Sequence, residues 1–291
     1  MPLSPMVRLA ALTTVLAFAP VAALASATVW GAGDLGGGLA ARRHHPYQVV
    51  ALSAASGIAM LVICWIVRGE PMPPAPALVW SILAGLSGGC GIGGLYYGLS
   101  LGNAALVAPT AGVVGALLPV SFTIIRQGLP TPLQIAGFVC AMAGIWLVAK
   151  SSGATADSLR GLKIAVFAGL GLGGFLVLIA QIHEDLAFGP LTVARSMSLL
   201  VSFVVLAFRR LPLPAPSSNP LALGTGVLDA TGTVFYVFAK QYTRLDVAAV
   251  LSSMYPVSTV LLARLLLNER VTLAQGIGVS LCLAAVALIT L

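Results

Sequence analysis

Ten long apolar runs, separated by short polar or proline-rich breaks, govern what this 291-residue chain can fold into. They cover approximately residues 12–40, 47–67, 77–100, 103–125, 132–150, 161–182, 189–208, 220–241, 246–267 and 272–291. A helix that crosses the hydrocarbon core of a bilayer needs about 20 mostly apolar residues. The runs are continuously apolar rather than alternating, which fits membrane helices and disfavours a membrane β-barrel. Charged side chains make up 8% of the chain, against roughly 25% in ordinary globular domains. That is too few to solvate a soluble body of this size. The sequence therefore predicts an all-α integral membrane protein with ten transmembrane helices and loops that only join them.

The first 30 residues carry features of a signal peptide: Arg8, an apolar run, then Ala23-Leu24-Ala25 before Ser26. The apolar stretch continues past that point to about Ala41 without a polar break, so it reads as a first membrane helix, extended near Leu9–Ala19. The four cysteines (Cys64, Cys90, Cys140, Cys282) each lie inside an apolar run with no metal spacing, and read as small core residues. The net charge of +7 comes with no basic run longer than Arg42-Arg43 or Arg209-Arg210. Both pairs flank apolar stretches, where basic residues anchor to lipid headgroups, so no nucleic-acid partner is expected.

Internal similarity divides the runs into two sets of five. Leu118-Pro119-Val120-Ser121 has a counterpart in Tyr255-Pro256-Val257-Ser258. Thr131, Gln134, Gly137, Ala143 and Leu147 align with Thr272, Gln275, Gly278, Ala284 and Leu288 at a constant offset of 141. Pro46 is matched with Pro190, and Gly36-Gly37 with Gly173-Gly174. The expected organisation is a first repeat over 1–150, a connecting loop at 151–160 and a second repeat over 161–291. An odd number of helices per half forces opposite orientations in the membrane. That makes an inverted repeat, the construction of many secondary transporters, with the substrate site near the midplane between the halves.

The segment Met254-Tyr255-Pro256-Val257, continuing through Leu265-Leu266-Leu267-Asn268-Glu269-Arg270-Val271-Thr272 to Gln275 and Gly278, resembles the signature of the EamA-like branch of the drug/metabolite transporter superfamily. Trp30-Gly31 fits the same pattern, and the resemblance spans the whole chain as two repeats. The first repeat departs from it, with Arg126-Gln127-Gly128-Leu129-Pro130 at the end of its fourth helix. The resemblance implies ten helices in an inverted two-fold arrangement, in the inner membrane with cytoplasmic termini. It also implies export of small metabolites, of the aromatic amino-acid or paraquat exporter type. The basic residues point the other way on orientation. The face of the termini carries Arg8, Arg68, Arg126, Lys240 and Arg244, while the opposite face carries nine, from Arg42 to Arg270. Basic residues favour the cytoplasm.

Charges within apolar runs cost on the order of 2.5–3.5 kcal/mol at a helix centre, so each needs a partner or water. Asp229 is deepest, and Asp34 lies in the last third of the first run. Asp229 fits a site or coupling role, or a structural hydrogen bond to a neighbouring helix. Arg195 is expected to pair with Glu184 or Asp185 across the short loop before its run, and His183 in that loop reads as interfacial. Aromatic residues normally belt the membrane surface. Trp30, Tyr96, Tyr97, Tyr236 and Tyr255 instead fall well inside runs, and are expected to line a central cavity with Thr110, Ser252 and nearby Ser121 and Ser253. Pro119 and Pro256, inside helices that pair in the repeat, would free carbonyls and serve gating. Gly85, Gly89 and Gly93, like Gly169 and Gly173, recur at i, i+4 spacing, which allows close helix approach or bending. Gly31 to Gly36 matches GxGxxG, but no acidic residue follows at about 20 positions as nucleotide binding requires.

No HExxH or P-loop is present, so neither an enzyme nor a cofactor is expected. The expected function is export of small amphipathic molecules by alternating access, with small-molecule substrate and membrane lipid as partners and a monomer sufficing. Proton coupling and passive flow both fit the sequence. The rival is a sugar-nucleotide or lipid-linked translocator, whose doubly anionic substrate would call for several basic residues facing the cavity.

Overall fold

The computed structural model describes residues 5–42, 44–100, 104–149, 158–182, 186–267 and 272–290, all helix and connecting turns with no strand among them. The first half comprises α1 (Pro5–Ala41), α2 (Pro46–Arg68), α3 (Ala75–Ser100), α4 (Ala104–Gln127) and α5 (Pro132–Ala149). The second comprises α6 (Ser158–Ile179), α7 (Phe188–Phe208), a 3₁₀ turn at Pro216–Ser218, α8 (Pro220–Tyr242), α9 (Leu245–Ser252), α10 (Tyr255–Leu267) and α11 (Leu273–Thr290). Six helices are long and apolar enough to cross a bilayer among the described residues: α2 and α7 entire, α8 entire, and the bulk of α3, α4 and α6. The expected loops at Gly102-Asn103 and Asn268–Val271 lie outside the described residues, as do residues 151–157 of the loop expected over Ser151–Arg160 and residues 183–185 of the one expected over His183–Pro190; Ser158–Arg160 and Phe188–Pro190 are instead the first turns of α6 and α7.

Local chemistry sets the helix ends. His45 caps α2: its Nδ1 accepts from Tyr47 N, and Gln48 Oε1 accepts from His45 N at 3.1 Å. Pro46 follows at the first helical position, and Gly69 (φ 64°) closes the helix in the left-handed region. The same reciprocal cap opens α5, where Thr131 and Gln134 exchange bonds of 3.1 and 3.2 Å. At α7 the cap comes from elsewhere in the chain. Both oxygens of Glu70, in the α2–α3 loop, accept from the backbone N–H groups of Ala187, Phe188 and Gly189 at 2.9–3.0 Å. A carboxylate meets the positive end of the helix there.

The ninth expected span is not one helix. Its chain turns at Ser253-Met254, so α9 and α10 are separate. Pro256 is therefore the second residue of α10 rather than a helix-interior proline. At that position its missing N–H costs no helical bond. Pro119 does lie inside a continuous α4.

The interior is built from small residues. Ala23, Ala54, Ala84, Ala141, Ala230 and Ala249 are fully buried, while Ile66, Val67 and Phe208 are 74–84% exposed. Water does not drive helices together within lipid, so association rests on close packing, which small side chains permit. Helices pair mainly across the two halves. α1 packs on α8 and α6 on α3; α3 packs on α7 and α8 on α2; α2 meets α7, and α5 meets α11. Exchange of the halves leaves this pattern unchanged.

The exchange holds at single residues. A Cβ on Gly85 of α3 would collide with the backbone of Ala194 on α7, and one on Gly226 of α8 with the backbone of Ser53 on α2. Residues 85 and 226 differ by 141, as do 53 and 194. The same offset relates Gly91–Gly171 to Gly232–Trp30, and Gly33 to Gly174. The 141 register thus extends back to the first helix, and pairs Gly174 with Gly33 rather than with Gly37.

Candidate substrate cavity

A cavity of about 100 Å³ lies where α1, α2, α3, α4, α6, α7, α8, the α9–α10 turn and α10 converge. Its wall is mostly apolar, with Leu61, Ile92, Leu95, Ala111, Leu172, Phe175, Leu176 and Leu191. Its polar groups are few: Asp34, Arg195, Ser198, Asp229, Thr233, Ser253, Trp30 and Tyr255.

Arg195 and Asp229 form an ion pair between α7 and α8. This corrects the expectation that Arg195 pairs with Glu184 or Asp185, which lie outside the described residues together with His183. The two helix-interior charges satisfy each other more directly than a loop acid could, since both sit at mid-helix depth. The side chains remain 15% and 28% exposed, so the pair opens to the cavity rather than being sealed in protein. Asp34 approaches from α1, where Gly33 packs on the backbone nitrogen of Asp229 and the Cβ of Leu228.

The aromatic residues divide. Trp30 lines the cavity; its Nε1 donates to the backbone oxygen of Asp229 at 3.2 Å, and its ring lies 6.0 Å from that of Tyr236. Gly232 leaves the room the indole occupies. Tyr255 also lines the cavity. Tyr236 is fully buried behind Trp30, its hydroxyl donating to Leu176 O at 2.9 Å, so it supports the wall without forming it. Tyr96 is buried with its hydroxyl against Gly37, one turn from Asp34. Tyr97 faces a different, more open hollow at one end of the bundle with His45, Tyr47, Phe167 and Arg209, and its hydroxyl accepts from Arg160 at 3.1 Å. Ser252 donates to Ala23 O at 3.3 Å and turns from the cavity, leaving its neighbour Ser253 on the wall. Thr110 and Pro119 are not among the wall residues, and Pro119 O accepts from Thr123. The side chain of Pro256 lies outside the described residues.

Of the residues singled out from sequence for the cavity, the structure thus brings together Trp30, Asp34, Asp229, Ser253 and Tyr255. Sequence reasoning missed Arg195, Ser198 and Thr233 as wall residues. Arg195 carried a usable signal: it and Asp229 are opposite charges at similar depths in consecutive spans, and unpaired charges there are costly.

The charges also break the symmetry of the halves. At the 141 offset, Asp34 corresponds to Phe175, Asp229 to Gly88 and Arg195 to Ala54. Gly88 packs directly against the Phe175 ring. The cavity therefore has one charged side and one apolar side, built at equivalent places in the fold. It offers orientation to an amphipathic molecule, with its polar end at Asp34, Arg195 and Asp229 and its apolar end toward Phe175, Ile92 and Leu172. Among the described residues there is no cluster of side chains that could hold a metal ion.

The model of the EamA-like transporter family matches residues 17–150 and again 159–291. A solved structure titled only "Crystal structure of protein" superposes with a TM-score of 0.72 at 20% identity, over 93% of this chain and 95% of that one. No curated protein matches the chain.

Proposed function

The chain belongs to the EamA-like transporter family, and on that premise we propose that it exports small amphipathic metabolites, amino acids or toxic amphiphiles, by alternating access. The observation that carries this reading is the mid-bundle cavity with its charged and apolar sides, placed between two halves whose packing is interchangeable. An odd helix count per half inverts the second relative to the first. The two-fold axis then lies in the membrane plane, and rocking of the halves exposes one site to either side in turn. The proposal takes the halves as ten spans in all, residues 1–150 and 161–291, acting as a monomer.

Trp30, Asp34, Asp229 and Tyr255 are proposed to contact substrate or coupling ion. Tyr96, Tyr97, Thr110, Tyr236, Ser252, Pro119 and Pro256 are proposed to support or gate the path from behind the wall or at its ends. A doubly anionic sugar-nucleotide or lipid diphosphate is a poorer fit, because Arg195, the one basic side chain among the described wall residues, is already paired.

The deciding experiment is radiolabelled uptake into proteoliposomes, run over amino acids, aromatic amines and a sugar nucleotide. Saturable amino-acid or amine flux supports the reading. Flux of the sugar nucleotide alone would replace it with the translocator.

Orientation completes the proposal: inner membrane, with both termini cytoplasmic as in the family resemblance and against the basic-residue balance. Ser218, exposed in the α7–α8 connection on the face opposite the termini, reports on it. Ser218→Cys should react with an impermeant maleimide added outside intact cells, and protection of that site would reverse the orientation.

A further inference from the structure

At the end of the bundle where α3 and α7 finish and α6 begins, a hollow of about 460 Å³ opens between α6 and α7. Both helices pack on α3 and hardly touch each other, so α3 forms the floor of a groove. Gly88, Ile92 and Leu95 of α3 face the central cavity, whereas Gly93, Gly94 and Tyr97 face the hollow. The helix therefore stands between the two. The hollow opens to the side of the bundle, where Phe167 and Phe208 are exposed on its rims.

The 141 register shows what the second half puts in the same place. Gly93 and Gly94 correspond to Val234 and Phe235, Tyr47 and Tyr97 to Phe188 and Phe238, His45 to Leu186, and Arg160 to Ala19. Phe188 and Phe238 meet edge to face at 6.4 Å. One half thus fills its groove with apolar side chains, while the other leaves it open and lines it with hydroxyls and basic groups. Neither Arg160 nor Arg209 pairs with a described carboxylate. The described acids stand elsewhere, Asp34 and Asp229 at the central cavity, Glu70 and Asp246 at the other end of the bundle. Arg210 holds φ 53° where its counterpart Gly69 holds 64°. A left-handed backbone suits glycine and strains arginine, so this helix end carries a further positive charge at a position that favours glycine.

Such a site matches a ligand that is anionic at one end and apolar along the rest. We propose that the hollow binds one anionic phospholipid. Its phosphate sits between Arg209 of α7 and Arg160 of α6, and the Tyr97 hydroxyl, accepting from Arg160 at 3.1 Å, holds that guanidinium in place. An acyl chain lies along the groove over Gly94, Ile164, Phe167 and Val205, and supplies the filling that Val234 and Phe235 supply in the other half. Charge alone is screened at a hydrated helix end, and an apolar groove alone accepts any bilayer lipid; the two together select. The site needs only the membrane placement of the chain and is independent of what the central cavity carries.

The test titrates the purified full-length protein in detergent with phosphatidylglycerol, with phosphatidylcholine of the same chains, and with glycerol 3-phosphate. Native mass spectrometry counts the bound adducts. One phosphatidylglycerol should be retained, at least tenfold more tightly than either of the others. Arg160→Gln combined with Arg209→Gln should bring phosphatidylglycerol down to the phosphatidylcholine level. Arg68→Gln, at the counterpart of Arg209, should leave it unchanged. Should the double variant not fold, Ile164→Trp decides instead: it keeps every charge, fills the groove and should weaken phosphatidylglycerol by the same tenfold.

Equal retention of the two lipids would reduce the hollow to ordinary bilayer contact. Equal loss in Arg68→Gln would reduce it to general surface charge, and tight glycerol 3-phosphate to a free-anion site. A dimer that Ile164→Trp dissociates would put a second copy of the chain in the groove. Any of these, or unchanged phosphatidylglycerol binding in the double variant, overturns the inference.

Discussion

Arg195 on α7 closes an ion pair with Asp229 on α8, and the pair stands at the wall of the central cavity. Each charge makes the other tolerable in a bundle otherwise lined by Ala, Gly and Leu. Removal of one partner strands the other. We expect Arg195→Ala or Asp229→Ala alone to lower stability by at most about 3–5 kcal/mol, less where cavity water reaches the survivor, and the double variant to recover much of the loss. Thermal unfolding in detergent for both singles and the double measures this. Equal losses for all three would show that the two side chains do not depend on each other.

Close approach of backbones makes a second prediction. A side chain at Gly226 meets the backbone of Ser53, while one at Gly224 meets nothing within 4 Å. Gly226→Val should cost more than the 1–3 kcal/mol typical of overpacking, because the obstacle is backbone, and folded yield should collapse. Gly85→Val, its symmetry mate, should behave alike. Gly224→Ala should express normally, and monodispersity on size-exclusion chromatography distinguishes the cases.

Trp30 and Tyr236 touch but act differently. Trp30→Ala should impair transport more than folded yield, since the indole forms the wall. Tyr236→Phe removes a hydroxyl bonded to Leu176 O and should cost about 1 kcal/mol in stability with transport largely kept. Tyr97→Ala, away from the cavity, should spare substrate affinity. A binding defect for Tyr97→Ala equal to that for Trp30→Ala would mean that the end hollow is part of the substrate site.

His45 supplies a pH-sensitive cap outside the spanning segments. Burial, and secondarily the positive charge of Arg209, lowers its affinity for a proton. A group whose folded pKa is depressed in this way, and whose neutral form does the capping, contributes stability above its unfolded value. That contribution is lost as pH falls through the lower folded value. The unfolding midpoint should therefore fall on acidification below about 6.5. His45→Asn, which caps without titrating, should flatten that part of the profile. An identical acid profile in His45→Asn would assign the loss to other groups.

The helices, the two-half organisation and the depth of Asp34, Asp229 and Trp30 were legible in the sequence. Bilayer thickness and backbone hydrogen bonding leave a long apolar run few options, and repeated residues at one offset report a repeated packing problem. The break at Ser253-Met254 was marked only by the nearby Pro256, and a proline alone does not decide it, since Pro119 lies inside a continuous α4. The split between Tyr97 at the bundle end and Trp30 at the cavity was not legible. Run boundaries fix depth only to within a turn, and a helix of almost uniform hydrophobicity does not announce which face meets protein. The pairing of Arg195 with Asp229 was decided by the crossing of α7 and α8 beside one another, a distance between helices that no spacing along the chain encodes. What remained for the tertiary structure was the charge count of the cavity. It depends on which side chains converge, and therefore on how closely the glycine and alanine faces of the two halves let the helices approach.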